Sequence, residues 1–101
     1  MKILGIESSC DDTSVALLDC SSKGCFVVEE KTASQINIHK KYGGVVPELA
    51  GRAHAEKILP LIESVLEKHE KPDVIAVSSG PGLITGLLVG VEAAKTLSYL
   101  W

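Results

Sequence analysis

Two short apolar runs with a polar stretch between them constrain the fold of this chain most strongly. The runs are Ile3–Ile6 and Val15–Leu18, and the residues between them are mostly small, hydroxylated or acidic. A polar turn joining two strands brings backbone N–H groups, hydroxyls and carboxylates into one small volume, where they can hold a phosphate or orient a reacting group. The side chains that this turn offers are Ser8, Ser9, Asp11, Asp12 and Thr13.

The first third of the chain predicts an antiparallel meander. We expect strands over Lys2–Glu7, Thr13–Leu18 and Cys25–Lys31, the last extending to Ser34 at most. The polar segment Asp19–Gly24 predicts a turn between the second and third strands. Because these links are short, neighbouring strands must run in opposite directions.

The middle of the chain predicts a loop and then a long helix. The polar stretch Gln35–Gly44 predicts an irregular loop, with His39 as a loop residue, and Pro47 stands where the first turn of a helix tolerates proline. Apolar residues then recur at spacings of three and four as far as His69, which is typical of an amphipathic helix. Pro60 lies within this pattern and removes one helical hydrogen bond, so we expect a kink or a break there.

A short apolar strand and a final helix complete the order of elements. The run Asp73–Ser79 predicts a central parallel strand that is buried on both faces. The segment from about Thr85 to Trp101 predicts a helix with a narrow polar stripe, covered on more than one side. The order β-β-β-α-β-α with a right-handed crossover predicts an α/β fold with a mixed sheet, the front half of an actin-like or ribonuclease-H-like domain.

Composition and cysteine content exclude several classes of protein. Hydrophobic residues make up 46% of the 101 residues, which is enough for a packed core. A formal charge of −3 without a basic patch makes this segment by itself a poor nucleic-acid binder. Three cysteines without a C-x-x-C motif, and an N-terminus without a signal peptide, predict reduced thiols in a cytoplasmic protein. The long apolar stretch over residues 83–101 holds too many polar residues to predict a membrane span.

Three segments carry a family resemblance. GIESSCDDT at Gly5–Thr13, YGGVVPELAGRAH at Tyr42–His54 and SGPGLITGLLVG at Ser79–Gly90 resemble three signatures of the TsaD family, also called the Gcp or Kae/Qri family. The resemblance covers the whole chain without a gap. The third segment is shared with the paralogous TsaB scaffold family, so the first two carry the distinction.

The resemblance implies a fold and an activity. The family has an ASKHA fold, two actin-like halves around a nucleotide cleft, and members transfer threonylcarbamoyl from threonylcarbamoyl-AMP to N6 of adenosine 37 in tRNA. Earlier descriptions called them O-sialoglycoprotein endopeptidases. Complete members are about three times as long, so residues 1–101 match the N-terminal part of the first actin-like subdomain. We expect this segment alone to be inactive.

The resemblance also implies a metal and partners. The family binds one iron or zinc ion through an H-x-x-x-H motif and a distant aspartate, and these ligands would lie beyond Trp101, so no metal ligand is expected within this chain. A TsaB-like paralogue, a TsaE-like ATPase and tRNA are the implied partners. The partner helix is expected to carry Gly86, Gly90, Ala93 and Ala94, a run of small residues that internal packing against the sheet explains equally well.

The resemblance gives roles to residues of the first two segments. Asp11 and then Asp12 are the candidate catalytic residues, and the candidate substrate-binding residues are Ser8, Ser9, Thr13, Glu48 and His54. From spacing alone a solvated turn is the simpler interpretation of the first group. Glu48 and Arg52 are four residues apart, so a surface ion pair is the plain alternative for Glu48. For His54 a structural role is favoured over catalysis.

Two other functions remain open from the sequence. A non-catalytic TsaB-like scaffold would use the same half fold to dimerise, but it would lack the Asp11-Asp12 pair together with the Tyr42–Glu48 segment. A sugar or acetate kinase of the same superfamily is more distant, because no specific sugar pocket is indicated. The strand near Val74 is expected to leave one edge open and so to favour self-association.

Overall fold

A four-stranded mixed sheet forms the centre of the molecule. The computed structural model describes all 101 residues. Strands β1 (Lys2–Glu7), β2 (Asp12–Ser21), β3 (Gly24–Ser34) and β4 (Val74–Val77) lie in the order β3-β2-β1-β4. β1 pairs antiparallel with β2 and parallel with β4, and β2 pairs antiparallel with β3. The predicted meander and mixed sheet are therefore confirmed, although β2 and β3 are longer than expected.

Two long helices and one short helical segment follow the meander. They are α1 (Ile36–His39), α2 (Pro47–Leu66) and α3 (Ile84–Leu100), and a 3-10 turn over Lys40–Tyr42 continues α1. The predicted irregular loop at Gln35–Gly44 is wrong, because most of it is helical. The expectation that His39 is a loop residue is also wrong, since its side chain is buried.

The core lies between one face of the sheet and the two long helices. Alternate residues of β1 and β2 point into it, and residues spaced three and four apart on α2 meet them, as the two periodicities require. The buried cluster consists of Leu4, Ile6, Val15, Leu17, Ile58, Ile62, Val65 and Ala94. Burying a side chain of this size stabilises a fold by roughly 1.5–3 kcal/mol, so this face holds the molecule together.

Helix α2 runs through Pro60 without interruption, so the predicted break is wrong, whereas a kink there stays a prediction. Pro60 is exposed, whereas Ile58 and Ile62 on either side of it are both buried in the core. A proline inside a helix costs about 3 kcal/mol, and the packing of its apolar neighbours offsets that cost.

Strand β4 is an edge strand, so the prediction of burial on both faces is wrong. Val74 is 41% exposed and Ala76 is also exposed, because both helices cover the opposite face of the sheet. On the open face, Gly5 faces Ala16 of β2 and Ala76 of β4 in one row across the sheet. The open edge of β4 is the one expected from the sequence.

Helix α3 is covered on one side only, which corrects the expectation of wider burial. Its inward side holds Gly86, Gly90 and Ala94, whereas Ile84 is 72% exposed and Leu88 is 51% exposed. No element of this chain lies over that outer side. No helix of the chain has the length and apolar character needed to cross a membrane.

A disulfide joins Cys20 to Cys25, so the expectation that all three cysteines are reduced is wrong. The two residues face each other across the β2–β3 ladder, with their Cα atoms 4.0 Å apart. The predicted second strand ended at Leu18, before Cys20, so the sequence analysis did not show that the two cysteines are paired. Cys10 is the free cysteine and is exposed.

Candidate functional site

The turn after β1 divides its polar side chains between the interior and the surface. Ser8 and Thr13 are fully buried, Asp11 is half-buried and Asp12 is exposed. A buried hydroxyl must find a partner inside the protein, because leaving it unpaired costs about 1–3 kcal/mol. Ser8 and Thr13 therefore anchor the turn, and the two carboxylates remain available at the surface.

Ser8 and Ser9 attach this turn to the glycine-rich bend that precedes α3. Ser8 Oγ donates a hydrogen bond to the Gly86 carbonyl at 2.7 Å, and the Leu83 amide donates to the Ser9 carbonyl at 2.7 Å. A Cβ atom at Gly82 would lie 2.5 Å from the Ser9 carbonyl oxygen. The first and third sequence segments therefore meet in direct contact, and the glycines permit that approach.

A buried histidine attaches the same turn to α2. His54 is fully buried, its Nδ1 lies 2.7 Å from Thr13 Oγ1, and its Nε2 lies 3.0 Å from the Cys10 carbonyl oxygen. A carbonyl only accepts, so Nε2 carries the proton and Nδ1 accepts a hydrogen bond from Thr13. Both ring nitrogens are thus occupied within the protein, and His54 holds the backbone one residue before Asp11.

Glu7 is a residue of this site that sequence reasoning missed. Its two carboxylate oxygens accept hydrogen bonds from the Ser9 amide and the Ser78 hydroxyl, which link the turn to the end of β4. Burial opposes ionisation, but the bonds from Ser78 and Ser9 outweigh it and hold the pKa of Glu7 below its ordinary value. An acidic residue at the end of a strand, directly before the polar turn, was the available signal.

Asp11 lines a cavity of about 360 Å³ beside the turn. We call it the Asp11 cavity, and its lining residues are Asp11, Ile36, Asn37, His39, Lys40, Gly44 and Val45. It lies where the first sequence segment meets α1 and the loop that leads into α2. Its volume is within the range of about 300–1,000 Å³ usual for small-ligand sites. The acidic turn therefore lies at a concavity.

Glu48 lies on the exposed side of the first turn of α2. Its carboxylate accepts a hydrogen bond from the Arg52 guanidinium at 3.1 Å, and both side chains are largely exposed. The ion pair predicted from their spacing is present. A substrate contact for Glu48 stays a prediction, because none of the cavities described here includes it.

The small residues of α3 mostly pack inward. A Cβ atom at Gly86 would lie 2.6 Å from the Ser8 carbonyl oxygen, and one at Gly90 would lie 2.5 Å from Ser8 Oγ. Ala94 is also buried, whereas Ala93 lines a groove of about 500 Å³ between α2 and α3. Internal packing thus explains three of the four small residues, and Ala93 alone of them lies on a surface open to a partner.

The chain offers no metal centre of its own. No group of three histidine, cysteine, aspartate or glutamate side chains is close enough to hold an ion. His54 uses both ring nitrogens in internal hydrogen bonds, and so does His39. The residues of this chain therefore do not by themselves form an iron or zinc site.

Comparison with known protein families identifies the family to which this chain belongs. Residues 26–101 match the family model described as "TsaD: tRNA N6-adenosine threonylcarbamoyltransferase". The chain belongs to the TsaD family. Its TsaD relatives include proteins named tRNA N6-adenosine threonylcarbamoyltransferase from Listeria innocua, 48% identical over 97% of this chain, and from Dictyoglomus turgidum, 51% identical over 97%. A relative of the same name from Thermomicrobium roseum is 47% identical over the whole chain.

The chain spans less than a third of the length of these TsaD relatives. It covers 28% of the Thermomicrobium protein, 29% of the Listeria protein and 30% of the Dictyoglomus protein. The resemblance to an N-terminal portion of the TsaD family is therefore confirmed. What the relatives do as whole proteins extends to this chain only as a proposal.

Solved structures establish the fold class of this TsaD segment. YeaZ from Pseudomonas aeruginosa superposes with a TM-score of 0.67 at 23% identity, over 98% of this chain and 39% of its own. An uncharacterized protein with similarity to peptidase YeaZ gives a TM-score of 0.65 at 24% identity, over 98% of this chain and 38% of its own. At such identities the likeness concerns the fold alone, and it confirms the predicted α/β half-domain.

Proposed function

We propose that this chain is the N-terminal part of an enzyme that transfers a threonylcarbamoyl group to N6 of adenosine 37 in tRNA. Membership of the TsaD family supports the reaction class. The main support for the site is that all three sequence segments meet at the turn between β1 and β2, residues 8–11, which we call the Asp11 turn. Ser8 and Gly86 join it on one side, and Thr13 and His54 on the other. Such convergence holds a reactive group in a fixed place.

The reaction is an acyl transfer from threonylcarbamoyl-AMP. The adenosine N6 lone pair forms a bond to the carbamoyl carbon, and the bond from that carbon to the phosphate oxygen breaks. AMP leaves with the electron pair, and one N6 proton passes to a carboxylate or to the departing phosphate. Asp11 is the candidate to orient the reacting groups, with Asp12 beside it, because Asp11 lines the cavity.

The family resemblance implies an iron or zinc ion in the whole protein. The side chains of this chain do not form a site for such an ion. The tasks left to this segment are to hold the turn and to present its carboxylates. Consequently the segment alone is expected to be inactive, whereas the protein extended to the length of its relatives is expected to form the modified adenosine.

A transfer assay on the extended protein tests this function. Asp11→Asn is expected to lower kcat/KM by about 100-fold or more, the usual effect of removing a positioned carboxylate. Asp19→Asn is the matched control, because Asp19 lies in a surface ion pair at the far end of the sheet. If Asp11→Ala and Asp12→Ala both leave tRNA modification unchanged, the assigned catalytic roles are wrong.

A partner surface is the second element of the proposal. In the groove between α2 and α3, Leu59 is 56% exposed and Leu88 is 51% exposed. Seven of the nine residues that line the groove are hydrophobic. Exposed apolar area of this kind supports docking of a paralogue with the same half fold, the TsaB-like partner, with a TsaE-like ATPase as a further partner. The scaffold alternative rests on the same groove.

Two variants separate the catalytic and scaffold functions. Leu88→Asp is expected to weaken pull-down of a TsaB-like paralogue. Lys95→Gln, on the exposed side of the same helix, is the control and is expected to leave the pull-down unchanged. Under the scaffold function Asp11→Asn would be silent in a reconstituted assay. Under the catalytic function it abolishes most activity while pairing stays intact.

A further inference from the structure

We propose that the Asp11 cavity is the subsite for the acceptor purine, the adenine base whose N6 is modified, with Lys40 and Lys41 holding the flanking phosphates. This assignment rests on the function proposed above and adds to it a place and a set of contacts for the base. Neither Asn37 nor the two lysines belong to the residues that the sequence marked as a site.

The cavity is a built structure rather than a gap between loops. His39 Nε2 donates to Gln35 Oε1 at 2.8 Å, and His39 Nδ1 accepts from the Val46 amide at 3.1 Å. Gln35 is also buried, and its backbone amide donates to the Asp11 carbonyl at 3.2 Å. This buried chain of hydrogen bonds connects the Asp11 turn, α1 and the start of α2. The walls are therefore fixed before a ligand arrives, which lowers the entropy cost of binding.

The chemistry of the lining matches an adenine base. Asn37 is an exposed residue of the lining, and an asparagine amide pairs in two places with adenine, accepting from the N6 amine and donating to N7. The Asp11 carboxylate accepts the other N6 hydrogen. Ile36 and Val45 supply apolar surface for the flat faces of the base. Asn37 and Asp11 thus offer two acceptors for N6, the atom that must react, within one lining.

The surroundings of the cavity suit single-stranded RNA. Lys40 and Lys41 are exposed, and neither takes part in an ion pair. Tyr42 is 57% exposed, with Lys41 Nζ 5.4 Å from its ring centroid. Lysines outside ion pairs attract phosphates, and the face of the Tyr42 ring opposite Lys41 is a stacking platform for a neighbouring base. Such a local patch contributes to RNA binding although the whole chain carries a charge of −3.

The adenylate phosphate is a poorer occupant of the same cavity. A phosphate placed beside Asp11 would meet its carboxylate, and like charges at short range repel. Lys40, the cation of the same lining, is exposed and can instead reach a phosphate outside the cavity. A neutral base meets no such repulsion and uses the carboxylate as an acceptor. The observations therefore favour the acceptor base over the donor's phosphate.

An RNA-binding and transfer experiment on the extended protein tests the assignment. The probes are two anticodon-loop hairpins, one with adenosine at position 37 and one with purine riboside, which lacks the N6 amine. Asn37→Ala is expected to weaken binding of the adenosine hairpin by about 5- to 100-fold and to remove the preference over purine riboside. It should raise KM for the RNA more than it lowers kcat, and Asn37→Gln should restore part of the preference.

Lys40→Gln tests the phosphate contact separately. It is expected to weaken both hairpins equally and to reduce the slope of log K against log salt by about 1. Lys23→Gln is the matched control, since Lys23 lies in the exposed β2–β3 turn away from the cavity. Asn37 and Lys40 are exposed, so these variants retain the fold, which circular dichroism checks.

The outcomes distinguish this assignment from the proposed function. If the wild-type protein modifies adenosine 37 while Asn37→Ala keeps full affinity and full preference for adenosine, the subsite is elsewhere and the proposed function stands. If the wild-type protein neither binds nor modifies the hairpin, both are overturned. A loss of base preference in Asn37→Ala together with a base-independent loss in Lys40→Gln supports the assignment.

Discussion

Thr13 donates a hydrogen bond from Oγ1 to Nδ1 of His54 across 2.7 Å, and both side chains are fully buried. The bond joins the first strand pair to helix α2 over 41 residues of sequence. Because the other ring nitrogen of His54 binds the Cys10 carbonyl, one histidine fixes both ends of the acidic turn. The position of Asp11 therefore depends on a residue that never reaches the surface.

Replacing Thr13 tests this contact. Thr13→Val keeps the shape of the side chain but leaves Nδ1 of His54 buried without a partner, so we expect a loss of about 1–3 kcal/mol in unfolding free energy. Urea unfolding followed by circular dichroism measures it. Ser14→Ala is the control, because its hydroxyl pair with Thr32 is exposed and should be worth less than about 0.5 kcal/mol. Equal midpoints for Thr13→Val and the wild type would contradict the assigned role.

A methyl group at Gly86 tests the close approach of α3 to the turn. It would lie 2.6 Å from the Ser8 carbonyl oxygen and 2.9 Å from His54 Cδ2, so Gly86→Ala should destabilise the chain by about 1–3 kcal/mol. A Cβ atom at Gly44 would have no other atom within 4 Å, so Gly44→Ala serves as the control. Thermal unfolding of both variants is the measurement. A Gly86→Ala protein as stable as Gly44→Ala would show that the helix can shift at little cost.

The charge of Glu7 should make stability depend on pH. Its folded pKa lies below the ordinary value of 4.5, so the stabilisation is present above about pH 4.5 and is lost as the pH falls through the folded pKa. Glu7→Gln should therefore be less stable than the wild type at pH 7, with a difference that shrinks below pH 4. Urea midpoints across this range measure it. Glu30→Gln removes an exposed carboxylate on the same face of the sheet and is the control. A difference for Glu7→Gln that stays constant with pH would exclude a role of its charge.

The disulfide predicts the pattern of thiol reactivity. In the oxidised chain an alkylating reagent should label Cys10 alone, and after reduction it should label all three cysteines, as mass spectrometry can show. Closing so short a loop contributes about 2 kcal/mol in the chain-entropy model, so reduction should lower the urea midpoint. Labelling of Cys20 and Cys25 without a reductant, after mild oxidation, is the result that would refute the bond.

The open edge of β4 predicts self-association of the 101-residue chain. Unpaired backbone groups along an edge strand can pair with a second copy, and Val74 adds exposed apolar surface there. Light scattering should therefore show a mass that rises with concentration, and Val74→Lys should reduce the rise. Val45→Lys, remote from the edge, is the control. A strictly monomeric chain at high concentration would contradict the prediction.

Local patterns in the sequence sufficed for the strands, the long helices and the candidate turn. Alternating apolar residues predicted β1 and β2, and spacings of three and four predicted α2, because these periods depend only on neighbours along the chain. The helical turns after Gln35 were missed, because a buried Gln35–His39 pair stabilises them and polar composition does not reveal burial. The break at Pro60 was wrong because the packing of Ile58 and Ile62 offset a local penalty.

What the sequence by itself determined is the order of the elements, the family and the presence of an acidic turn beside a glycine-rich bend. Only the tertiary structure decided which polar side chains face inward, so that Ser8, Thr13 and His54 became anchors while Asp11 stayed at a cavity. It also revealed that Glu7 links the turn to the end of β4, and it placed Asn37 and Lys40 in the same cavity lining as Asp11. The reason is physical: hydrogen bonds and burial join residues that lie 40 to 80 positions apart, and a local pattern carries no information about such distances.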